Sequence, residues 1–192
     1  MAKRIVIGGV LGGVALFLWG AVSHMATPLG SMGISTIPNE EVVLGAMRSN
    51  LPGRGLYFFP GMDLSRTPTA EEQRAWERKY EQGPAGILIY RPQGGPVMSA
   101  AQLGNELASN IALALVAAWL FAAASGGLTT AGSRILFVAL IGLIGGLDIH
   151  VSYWNWYGFP TTYTLAGMLD GFIGFLVMGI VFHFAIRKPA AA

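Results

Sequence analysis

The chain has 192 residues, of which 53% are hydrophobic and only 11% charged, with a net charge of +2 and a mean hydropathy of +0.54. Soluble domains carry about 25% charged residues, and a chain this short must still cover itself with polar surface, so lipid is part of its solvent. The absence of cysteine excludes disulfides, thiolate zinc sites, covalent c-type haem and thiol nucleophiles, and so small a net charge gives no reason to expect a nucleic-acid partner.

The first apolar stretch, Ile5 to Ser23, is free of charge and follows Lys3 and Arg4. At roughly the 20 residues that a crossing helix requires, it reads as a first transmembrane helix within residues 1–24. Glycines at 8, 9, 12 and 13 give two overlapping G-x-x-x-G pairs, the spacing that lets helix backbones approach. Ala21-Val22-Ser23 also fits the end of a cleavable leader, but the apolar run exceeds the roughly 7–15 residues usual for one.

Residues 25–99 read as an extracytoplasmic insertion of two short helices and two short strands. Asn39 is placed to cap a helix over Glu40 to Ser49, with two glutamates in its first turn. The segment GLYFFP, residues 55–60, reads as a strand bounded by turn residues. Thr69 and Glu72 form a capping box for a helix to about Glu81, on which Trp76 and Tyr80 give a buried stripe. GILIY, residues 86–90, is a second strand, free to pair with the first in either direction. Two strands alone are marginal, so this unit should lean on its helices, the membrane surface or a partner.

Ser99 and Gln102 make another capping box, so the second spanning helix should run from about 100 to 125. The third and fourth are expected over 134–154 and 164–187. The fold class is therefore an all-α membrane protein, a four-transmembrane-helix bundle with a small α+β insertion between helices 1 and 2. Arg134 precedes the third span, Arg187 and Lys188 follow the fourth, and the link YWNWYGFPTTYT, residues 153–164, has no Lys or Arg. Positive residues favour the cytoplasmic side, which puts both termini in the cytoplasm of a plasma or inner membrane. The rings of Trp154, Trp156 and Tyr157 suit a membrane–water boundary; an aromatic surface for a quinone, a lipid or a partner helix is the sharper alternative.

Ionisable groups inside a bilayer are costly and are functional candidates by default. At about 1.5 Å per helical residue, Asp148 and His150 lie roughly 20 Å or more from Arg134, and Asp170 about 25 Å from Arg187. With Glu106 near the start of the second span and His24 at the end of the first, five titratable groups fall in the same outer third of the membrane. His183 lies at the inner boundary. Three readings follow for the five: paired structural groups, a metal or haem site, or a proton or substrate-cation site. Metal is disfavoured by the lack of Glu-x-x-His and by the roughly 200° between Asp148 and His150 on one helix. Haem on His24 and His150 has no supporting motif, so no cofactor is expected. A proton path is disfavoured because the inner half of every span lacks acids.

Gly142 with Gly146, and Gly167 with Gly171, repeat the spacing of Gly8 with Gly12. Such faces serve packing among the four spans or docking onto another membrane subunit. No phosphate-cradling loop, H-E-x-x-H or G-x-S-x-G occurs, so no catalytic residue is assigned. The expected role is a non-catalytic association or accessory subunit, embedded in lipid, as a homo-oligomer or in a larger membrane complex. A metal- or haem-binding redox protein and a small oligomeric proton-coupled carrier are the alternatives.

Overall fold

The computed structural model of the protein describes residues 1–63 and 65–186. Arg187 and Lys188, on which part of the charge asymmetry rests, lie outside the described residues. The chain divides into two compact units, one of Met1–Ile34 with the chain from Val97 onward, the other of Ser35–Pro96.

Four helices of the first unit are long and apolar enough to cross a membrane: α1 (Ala2–Ala26), α4 (Ala100–Ala124), a third running Ala131–Tyr157, and α7 (Thr161–Ala185). The third is composite. It consists of α5 (Ala131–Gly146), a π-helical turn over Leu147–Val151 and α6 (Ser152–Tyr157). α1 and α7 form the central pair, with α4 packed on α1 and α5 on α7.

Caps set several of these boundaries. Ser99 accepts from the Gln102 amide while the Gln102 side chain accepts from the Ser99 amide, so α4 starts at Ala100 as expected. Thr130 and Ser133 cap α5 in the same reciprocal way. The third candidate span thus starts three residues before the expected 134. It also continues to Tyr157 rather than 154, where Gly158 at φ +71° closes it. Gly158 takes the left-handed conformation that side chains resist. Pro160, just before α7, starts the fourth candidate span at Thr161 rather than 164. Most of the expected aromatic link is therefore helix.

Apolar helices in a bilayer gain little by burying apolar surface against one another, and close packing is what can hold them together there. The glycines of α1 provide it on two sides. A Cβ on Gly8 or Gly12 would overlap Ile186 or Phe182 near and within α7, whereas one on Gly9 or Gly13 would overlap Leu115 or Ile111 of α4. The two interleaved pairs thus serve two different neighbours. Gly142 of α5 does the same for Phe175 of α7. The core gathers Ala114, Ala117, Ala118, Phe121, Val138, Met178 and Phe182. Phe121 and Phe182 pack with ring centroids 5.6 Å apart. Arg134 lies over the Phe121 ring at 4.7 Å and donates to the Ile186 carbonyl at 2.6 Å. That end of the bundle is closed.

In the second unit, β1 (Gly55–Phe59) and β2 (Gly86–Tyr90) pair antiparallel, with Gly55 opposite Tyr90 and Phe59 opposite Gly86. α3 (Ala70–Gln82) lies between them in sequence, with the expected Thr69–Glu72 capping box. Phe58 of β1 stacks on Tyr80, and Trp76 Nε1 donates to the Pro60 carbonyl at 2.9 Å. The expected buried stripe is shallower than its spacing implies: Trp76 is half-buried and Tyr80 exposed, because a two-stranded sheet is too narrow to cover both rings. α2 spans Glu40–Asn50, and Asn39 does not cap it with its side chain. Asn39 sits at φ 51°, in the left-handed region rather than the extended one that aims a cap side chain at the first turn.

Candidate functional site

At the end of the bundle away from Arg134, α1 runs on two residues past the expected 24. Ser23, fully buried, meets the His24 ring, with Ser23 Oγ 2.9 Å from His24 Nδ1. His24 Nδ1 also lies 3.1 Å from the Gly20 carbonyl oxygen. A carbonyl only accepts, so this contact is a hydrogen bond when Nδ1 carries a proton, whereas Ser23 Oγ can donate to Nδ1 when it does not. Thr27 then ends the helix, donating to the Ser23 carbonyl at 2.6 Å and accepting from the Leu29 amide.

The chain next folds back over the bundle in a turn of 3-10 helix, Pro28–Gly30. Two glycines permit it. Gly30 rests on the His24 backbone and ring, and Gly33, at φ +78°, rests on Tyr163 at the start of α7. Residues up to Ile34 therefore belong to the bundle unit, although the sequence places the insertion from 25.

The opposite wall comes from the π turn and α7. A π turn inserts an extra residue per turn and is frequent at functional positions. Gly145-Gly146 immediately precedes it, and paired small residues are a common place for a helix to depart from regularity. The turn brings His150 over Gly167, where a Cβ would collide with the imidazole. His150 also meets Tyr163 edge-on, with centroids 6.4 Å apart. One turn further along α7, Asp170 accepts from Trp19 Nε1 at 2.8 Å on Oδ1 and at 3.2 Å on its backbone oxygen. Trp19 fits there because Gly174 has no side chain.

These walls line a partly open cavity of about 480 Å³. Leu29, Gly30 and Ile34 line one side and Tyr163, Gly167, Asp170 and Gly171 the other, with His24 and His150 at its edges. Three of the five expected titratable groups thus line one space. Glu106 and Asp148 do not line it, and both are exposed. Asp148, two residues from His150 on a helical turn, faces elsewhere, as the wide angle between them anticipates. His183 lies near the closed end, its Nδ1 buried without a hydrogen-bond partner among the described residues.

The candidate packing glycines divide in the same manner. Gly8, Gly12, Gly142 and Gly167 are close-packed inside the bundle; Gly146 makes only ordinary contact with Met168, and a Cβ on Gly171 would meet nothing within 4 Å. Sequence spacing missed Trp19 as the partner of Asp170, Gly174 as the residue that admits it, and Gly30 and Gly33 as the pivots of the returning segment.

Among the described residues, no three His, Asp or Glu side chains come together as a set able to hold a metal ion. The cavity's polar equipment is two imidazoles, a phenol and one carboxylate, with no Lys or Arg in its walls. The carboxylate accepts hydrogen bonds, the phenol can donate or accept, and each imidazole does either according to its tautomer. No protein-family model matches the chain, no curated protein matches it, and no solved structure matches it.

Proposed function

We propose that the chain is a multi-pass integral membrane protein that acts by association, as an accessory subunit in a larger membrane complex or with copies of itself, rather than by catalysis. In this reading the four apolar helices cross a plasma or inner membrane, both termini are cytoplasmic and residues 25–99 lie outside. Supporting the orientation, Lys3, Arg4 and Arg134 fall at one end of the spans and no Lys or Arg lies in residues 153–164.

The observation that carries the association reading is how little of the insertion is finished. Among the described residues of Ser35–Pro96, Tyr90 alone is buried. Val42, Leu56 and Ile89 are 74%, 70% and 76% exposed, and Leu56 and Ile89 are cross-strand partners on one sheet face. A folded domain of about 60 residues normally buries about 60% of its chain surface. A unit so short of core, on a two-stranded sheet, gains its remaining burial from a surface outside it.

The test is extraction of the full-length protein from its membrane in native nanodiscs, followed by mass measurement. A stoichiometric partner or a second copy of the chain is expected. A strictly monomeric, unpartnered chain overturns the reading.

A further inference from the structure

We infer that the cavity between His24, His150 and Asp170 binds the ammonium head of an amphiphile, with Asp170 as counter-ion. The argument starts from charge. Asp170 lies within a helix long and apolar enough to span a membrane. A carboxylate there is costly unless paired. Trp19 supplies one hydrogen bond to Oδ1, and no ion pair to Asp170 occurs among the described residues. A cationic occupant of the cavity would supply that pairing.

The remaining walls agree on the sign and shape of that occupant. His24 and His150 bring two imidazoles, each a donor or an acceptor according to its tautomer. Tyr163 adds a phenol and an aromatic ring beside His150, and aromatic faces attract ammonium groups within about 6 Å. No Lys or Arg in the lining competes. An anionic head would meet a carboxyl group and no Lys or Arg. Leu29 and Ile34 give the same space an apolar side, which accommodates an alkyl chain. Gly171, with nothing within 4 Å of its missing Cβ, leaves room beside the carboxylate.

An ammonium head can come from the bilayer, as an ethanolamine phospholipid, or from a free amine, and one experiment separates the two. Full-length protein is placed in phosphatidylglycerol nanodiscs and the binding of radiolabelled octylamine is measured, with 1-octanol as uncharged competitor. Saturable binding is expected that 1-octanol does not displace. Asp170→Asn should weaken it by tenfold or more, and Asp148→Asn, outside the cavity, should leave it unchanged. Gly171→Leu fills the cavity without meeting a neighbour at Cβ, and should abolish binding even if Asp170→Asn misfolds. Displacement by phosphatidylethanolamine in the disc assigns the head to a lipid; persistence beside that lipid assigns it to a free amine. Both of those outcomes support the inference. Equal displacement by 1-octanol, or wild-type binding by folded Asp170→Asn or Gly171→Leu, overturns it.

Discussion

Trp19 and Asp170, 151 residues apart in sequence, are joined by an indole hydrogen bond of 2.8 Å to the carboxylate. The bond fastens α1 to α7 beside the cavity, and Gly174 makes it possible by admitting the indole. Hydrogen bonds to charged groups contribute about 1.5–3 kcal/mol in soluble proteins, and interhelical polar contacts in membranes average roughly 0.6 kcal/mol. Trp19→Phe, which keeps most of the ring, should therefore lower stability by about 1–2 kcal/mol. Thermal unfolding of the full chain in detergent measures it; an unchanged midpoint would show that the bond contributes nothing.

The glycines of α1 predict a graded series. A Cβ on Gly13 would sit 2.5 Å from the Ile111 Cα, whereas one on Gly12 would sit 2.5 Å from the tip of the Phe182 ring. Backbone yields less readily than the end of a side chain, so Gly13→Ala should cost more than Gly12→Ala, within the roughly 1–3 kcal/mol of overpacking. Gly20→Ala, with nothing within 4 Å, should be neutral or slightly stabilising, since alanine favours helix. Denaturation of the three variants in one detergent ranks them, and a Gly20→Ala loss equal to that of Gly13→Ala would contradict the packing.

Glu72 makes a pH prediction. Hydrogen bonds from Arg66, then from the Thr69 amide and hydroxyl, hold its carboxyl down from 4.5 to about 2. A carboxyl whose folded value is depressed favours the folded state above its unfolded value and loses that contribution as pH falls through the folded one. The contribution is thus complete above about 4.5 and vanishes below about 2. The carbon resonance of the Glu72 carboxyl in the intact protein should titrate near 2. Arg66→Ala should move it upward, short of the ordinary value because Thr69 still donates. An Arg66→Ala titration identical to wild type would refute the assigned cause.

Reading the chain unaided reaches the four long helices, because runs near 20 apolar residues have few other uses, and the capping boxes at Ser99 and Thr69, because their partners lie three residues away. The antiparallel pairing of Leu56 with Ile89 was not legible, since either direction satisfies both short strands. Nor was the π turn at Leu147–Val151, whose hydrophobic pattern resembles that of an α-helix. For the candidate site, depth along each helix was accessible from residue counting and rotation was not. His24, His150 and Asp170 consequently appeared together with Glu106 and Asp148, which only the helix packing separates. Local spacing likewise could not reveal Trp19 as the partner of Asp170, a contact set by the α1–α7 crossing.

Topology underlies the whole account, and the absence of cysteine makes it directly measurable. Single cysteines introduced by Gly94→Cys, in the insertion, and Thr129→Cys, between α4 and α5, can be challenged with a membrane-impermeant maleimide on intact cells or spheroplasts. The account predicts that the cysteine at 94 reacts at once and the one at 129 only after the membrane is permeabilised. Labelling of the 129 site from outside, with the 94 site protected until permeabilisation, would contradict it.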